Sequence, residues 1–225
     1  MRVRYSCQFI WFDYCARHDV ALRVPGAANT VNRRASTRRS TTKLVSDARR
    51  LAKELLRGRS EERWRHSRAV AHRASELAIT VPETDRPVLV AAAWLHDIGY
   101  VKPLRKTGFH PLDGATYLRA KGWSPRLCAL VAHHSGARFV PIERGFAPLM
   151  AEFEFEDGVV TDALTYADQT VGPGGRRMTV EYRIAEAIAR HGPDSPNARA
   201  RIDRVPYLLA VAERVESRLA EIRSR

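Results

Sequence analysis

From Thr42 onward, apolar residues recur every three to four positions in blocks separated by Ser, Thr, Pro and Gly, the punctuation of successive helices. No segment shows the period-two alternation of a half-buried strand. The pattern predicts helices over roughly 43–57, 61–79, 85–97, 111–121, 125–134, 159–169, 180–190, 196–202 and 206–223. Ser60 precedes Glu61 and Glu62 as an N-cap before an acidic first turn, and Ser124 caps a helix that has Pro125 at its first position. The expected fold is all-α, an irregular helical bundle, and no internal repeat is visible. The longest run free of polar residues, PVLVAAAWL at 87–95, is far shorter than the roughly 20 residues that cross a bilayer. It reads as a buried helix, and no membrane partner is expected.

Several polar residues fall on the apolar stripes of these helices, where burial is costly unless they are paired. In HSRAVAHRASELA (66–78), His66 sits one turn before Val70, Ala74 and Leu77, whereas His72 points to another face. In VVTDALTYADQT (159–170), Asp168 continues the stripe of Val160, Leu164 and Ala167. In PRLCALVAHHSG (125–136), Leu127, Leu130 and Val131 lead to His134, with His133 beside it. His96 and Asp97 end the most apolar helix of all. Each alone is an ordinary core histidine or capping aspartate. Together they form a set of imidazoles and carboxylates that one class of ligand, a divalent cation, satisfies at once. The absence of thiolates from the set suits iron, manganese, cobalt, nickel or zinc, and also allows magnesium.

Composition narrows the reading without changing it. With 44% hydrophobic and 28% charged residues in 225, the chain has the makeup of a globular domain with a substantial core. Three scattered cysteines, Cys7, Cys15 and Cys128, suggest neither a disulfide framework nor a zinc knuckle, and a reducing, cytoplasmic setting fits best. The net charge of +13 is concentrated: residues 1–45 hold nine Lys/Arg against two acids. That region ends in RRASTRRSTTK, so residues 1–42 read as a basic, disordered extension to a helical domain over 43–225. Contact with nucleic acid through this extension is not favoured, because it lacks interleaved aromatics that stack on bases.

The ordered set His66, His96-Asp97 and Asp168 resembles the H…HD…D signature of the HD-domain superfamily, a helical fold of metal-dependent phosphohydrolases. By that resemblance these four residues bind one metal ion. FHPLDGA, with His110, and AHHSGAR, with His133 and His134, resemble the extra histidines of dinuclear members, the HD-GYP phosphodiesterases and the YqeK-type diadenosine tetraphosphate hydrolases. The resemblance implies that Asp97 bridges two ions and that His110, His133 and His134 complete the second site. HD-GYP proteins carry Lys where Tyr100 stands and a Gly-Tyr-Pro element where this chain has SGARF, so cyclic di-GMP is not the expected substrate. YqeK-type enzymes show one histidine where this chain has two.

What the resemblance implies is hydrolysis of a small phosphorylated substrate, a nucleotide or another phosphate ester, by a metal-activated hydroxide at a His/Asp site holding one or two ions. Asp97 then belongs to the catalytic centre, and Lys102 and Arg138, which follow HDIGY and HHSGA, are the preferred phosphate-holding groups. Arg105, Lys106, Arg176 and Arg177 are weaker candidates, and the GPGG at 172–175 reads as a turn rather than a phosphate loop. Two other readings remain at this stage: an HD-fold diiron oxygenase, and a non-catalytic nucleotide- or RNA-binding helical module.

Overall fold

The computed structural model describes residues 29–192 and 195–225. The chain divides into two units, 1–38 and 39–225. The first lies mostly outside the described residues, and so does most of the extension expected over 1–42. Eleven α-helices follow in the described residues: α1 (Asn29–Leu56), α2 (Glu61–Leu77), α3 (Arg86–Leu95), α4 (His110–Ala120), α5 (Pro125–His133), the single-turn α6 (Pro141–Arg144) and α7 (Ala147–Met150), α8 (Val159–Gln169), α9 (Val180–His191), the short α10 (Pro196–Arg199) and α11 (Arg201–Arg223). No strand forms among the described residues; one isolated antiparallel bridge joins Val171 to Arg177 across the GPGG turn. No described helix is long and apolar enough to cross a membrane.

The interior is built by α2 on α3, α4 on α5, and α8 against α2, α3 and α11. α3 is buried over most of its surface: Leu89, Ala91, Ala92, Ala93 and Leu95 are fully buried, and Trp94 stacks on Trp64 of α2 at 5.6 Å. Its unbroken apolar run therefore marks a central helix. Caps match the sequence unevenly. Ser124 accepts a hydrogen bond from the Leu127 amide, whereas Ser60 occupies the N-cap position without one, leaving Glu61 and Glu62 to favour the helix start through its dipole.

α3 stops at Leu95, two residues before the expected end, and the chain turns through a short 3₁₀ segment at Ile98–Tyr100. Gly99 lets α4 approach this turn: a Cβ there would lie 2.0 Å from the His110 carbonyl oxygen and 2.7 Å from the Gly114 amide. The start of α4 is thus seated directly on the turn that carries Asp97. After α5 the backbone passes through a left-handed pair, Ser135 (φ 55°) and Gly136 (φ 65°). A left-handed serine is uncommon and is held only where its surroundings fix it.

Candidate metal centre

Five elements deliver one cluster: His66 from the middle of α2, His96 and Asp97 from the end of α3, His110 from the start of α4, His134 just past α5, and Asp168 near the end of α8. All are buried except His110, which is partly exposed. His66 Nε2 lies 2.8 Å from Asp168 Oδ1 and 3.6 Å from Asp97 Oδ2. His96 Nε2 lies 3.5 Å from Asp97 Oδ1 and 3.6 Å from Asp168 Oδ1. The same Asp97 Oδ1 is 3.3 Å from His110 Nε2 and 4.0 Å from His134 Nε2, which are 3.2 Å from each other. The two oxygens of Asp97 therefore face different histidines.

Ring orientation is set from behind. The Nδ1–H of His66 donates to Gly172 O at 2.9 Å, that of His96 to Ala93 O at 2.8 Å, and that of His134 to Val131 O at 2.7 Å. Each bond leaves Nε2 directed into the cluster, the arrangement by which carbonyls orient metal-ligating histidines. Ser135 fixes Asp168: its hydroxyl donates to Asp168 Oδ2 and accepts from Gln169 Nε2 at 3.1 Å. Its own carbonyl accepts from Arg204 Nε at 2.9 Å.

The residues fit a metal ion on their own chemistry. His66, His96 and Asp168 form one group with ligand atoms close enough to share an ion, and His96, Asp97 and His134 form another. His96 Nε2 is buried and has no hydrogen-bond partner among the described residues, although it points between two carboxylates. A buried orphan of that kind is costly unless a ligand meets it. The electrostatics agree. Burial disfavours the charged form of His96, but Asp97 and Asp168 outweigh it and raise its pKa to about 9. Burial alone would raise Asp97, yet His96, His110, His66 and Arg63 hold it well below the usual carboxylate range. Asp168 is likewise held low, against burial, by His66 and His96. Burial pushes His134 down to about 4. Two ionised carboxylates thus sit in a buried pocket that attracts a proton, or a cation in its place.

Not every residue anticipated from the sequence joins the cluster. His133 turns away: its Nε2–H donates to Phe153 O at 2.7 Å and its ring meets the edge of Phe155. The helix period explains this, since neighbours on α5 point about 100° apart. Lys102 is exposed, and Arg138 lies over Phe155, Phe139 and Tyr207, outside the cavity lining. Arg105 donates to Tyr100 O, Arg177 pairs with Glu76, and Lys106 and Arg176 are on the surface. The GPGG segment is a turn, and its Gly172 carbonyl is the partner of His66.

A cavity of about 330 Å³ opens from the cluster. The guanidinium that faces the centre is Arg63, bonded to Asp97 Oδ2 at 3.1 Å and lying over the Tyr100 ring, which itself stacks on His110. Arg183, Arg190, Arg201 and Arg204 also line this cavity. A signal for two of these was present in the sequence: Arg63 lies one turn before His66 on the same face, and Arg183 falls on the stripe of Val180 and Ala187.

No curated protein and no solved structure matches the chain. The sequence model of the HD domain matches residues 63–219, a span that contains every residue of the cluster. That span is more than half of the chain, and the chain belongs to the HD-domain family.

Proposed function

We propose that the protein is a metal-dependent phosphohydrolase acting on small phosphorylated compounds, nucleotides among them. The observation that carries this reading is the buried, unpartnered Nε2 of His96, set between two ionised carboxylates and flanked by histidines whose ring orientation is fixed from behind. His66, His96, Asp97 and Asp168 would hold one divalent transition metal, and Asp97, His110 and His134 a second. When bound, such an ion acidifies water and polarises a phosphoryl oxygen. The protein's own groups do the rest. Arg63, held against Asp97, presents a guanidinium at the cavity where phosphoryl oxygens would lie. Burial, with Asp97 adding to it, pushes the Tyr100 phenol up to about 12, so it stays protonated and available as a donor beside His110.

Elemental analysis of the purified protein, followed by assays of phosphate release from a nucleotide panel with and without chelator, tests the proposal. Chelator-sensitive release is expected. A protein that takes up no transition metal, or releases phosphate equally well after chelation, would overturn it.

A further inference from the structure

The cavity has a second wall whose charge the cluster does not explain. Arg183 and Arg190 of α9 and Arg201 and Arg204 of α11 line it. The acidic residues on the lining are Asp97 and Asp168, and both are already engaged by histidines, Arg63 and Ser135. Behind the wall, Glu186 pairs with both Arg183 and Arg190, one acid for two guanidinium groups. Arg183 is only 6% exposed, and its Nε is buried with no hydrogen-bond partner among the described residues. Arg204 is anchored through its Nε to the Ser135 carbonyl, one residue from His134. Burial lowers the pKa of Arg204, Asp168 opposes that, and the like charge of Arg183 adds to it. Cations enclosed in this way are costly without an anion between them, and guanidinium forks match phosphate oxygens in shape.

We propose that this arginine wall is a subsite for the non-scissile phosphates of a phosphoanhydride chain, which makes the substrate class compounds with at least two linked phosphates rather than phosphomonoesters. The assignment rests on the phosphohydrolase reading above. In the hydrolysis a water oxygen forms the new bond to phosphorus and the anhydride P–O bond breaks. The leaving phosphate keeps the electron pair; one of the water's protons stays on the newly formed phosphate and the other passes to solvent.

Two measurements on the full-length protein test the wall. The first is calorimetric titration, in chelator, with inorganic tripolyphosphate and with orthophosphate. The second is the ratio of kcat/KM for a nucleoside triphosphate to that for the monophosphate of the same nucleoside, with metal supplied. Tripolyphosphate is expected to bind at least about tenfold more tightly than orthophosphate, and Arg183→Gln and Arg204→Gln each to weaken it about tenfold. The same variants should bring the kcat/KM ratio towards one. Arg201→Gln, at an exposed position, gives the same readout with a smaller change, so the test survives if a buried variant fails to fold. A nucleoside triphosphate that binds no better than tripolyphosphate shows that the chain is what the wall recognises; tighter binding shows that the nucleoside adds contacts to it. Equal binding of tripolyphosphate and orthophosphate, or a ratio unmoved in all three variants, overturns the subsite. Tight tripolyphosphate binding without phosphate release from any compound supports the subsite and overturns the hydrolytic reading instead.

Discussion

The Cα of Gly99 stands so close to α4 that a side chain there would place its first carbon 2.0 Å from the carbonyl oxygen of His110. The glycine after the His-Asp pair thus works at a distance, by letting the start of α4 press His110 towards Asp97. Gly99→Ala must move backbone rather than a flexible side chain. We expect a loss above the about 1–3 kcal/mol typical of overpacking, together with at least about a tenfold fall in kcat/KM. Unchanged melting and turnover would show that α4 is not held by this contact.

The paired histidines should separate cleanly. His134→Ala removes an imidazole from the cluster and is expected to lower metal affinity by at least about 100-fold. His133→Ala instead strands the Phe153 carbonyl, with an expected stability cost of about 1–3 kcal/mol and unchanged metal content. Metal analysis alongside thermal melting decides between them, and equal metal loss in both variants would contradict the orientation of α5.

Asp97→Ala is expected to abolish phosphohydrolase activity with loss of bound metal, because Asp97 is shared by both sets of histidines, its Oδ2 facing His66 and its Oδ1 facing His96, His110 and His134. Circular dichroism checks that the variant is folded. Near-normal metal content and turnover would reduce HDIG to a structural turn.

Metal binding should depend on pH through His96. In the metal-free protein its pKa is raised from 6.5 to about 9, so its proton stabilises the fold fully below 6.5, and that contribution is lost as pH rises through about 9. A metal ligand must be deprotonated, so the apparent affinity should rise with pH, by up to about tenfold per unit, and level off above about 9. His134, already neutral because burial pushes it to about 4, adds no competing proton in this window. Titrations between pH 6.5 and 9 read the slope directly, and a flat profile would rule out His96 as the competing group.

Asp162 of α8 is buried and joined to Arg214 at 2.6 Å and Arg218 at 2.7 Å, which fastens α11 across the bundle. Both arginines keep partial exposure to solvent if the acid is lost. Asp162→Asn should therefore cost only about 1–2 kcal/mol, less than breaking a fully buried pair. The same change should raise KM more than it lowers kcat, since α11 carries Arg204. A KM identical to the parent would separate the clamp from the cavity.

The sequence by itself determined the helical class and most of the cluster. Period and punctuation are local properties, and polar residues on an apolar stripe announce themselves because burying them unpaired is unfavourable. His66, His96, Asp97, His134 and Asp168 were all visible in this way, and His110 through its likeness to the HD pattern. Helix boundaries were less legible: α3 ends at Leu95, and the turn that follows is the one on which α4 is seated at Gly99, a contact that belongs to the tertiary structure. Tertiary structure alone decided which of the two neighbouring histidines turns towards Phe153, that Ser135 in a left-handed conformation orients Asp168, and that Lys102 and Arg138 stay off the cavity. It also decided that arginines as distant in sequence as Arg63 and Arg204 face one space. Adjacency in sequence says little about adjacency across a cavity, because each helix contributes only the face that its packing partners leave open, and those partners come from elsewhere in the chain.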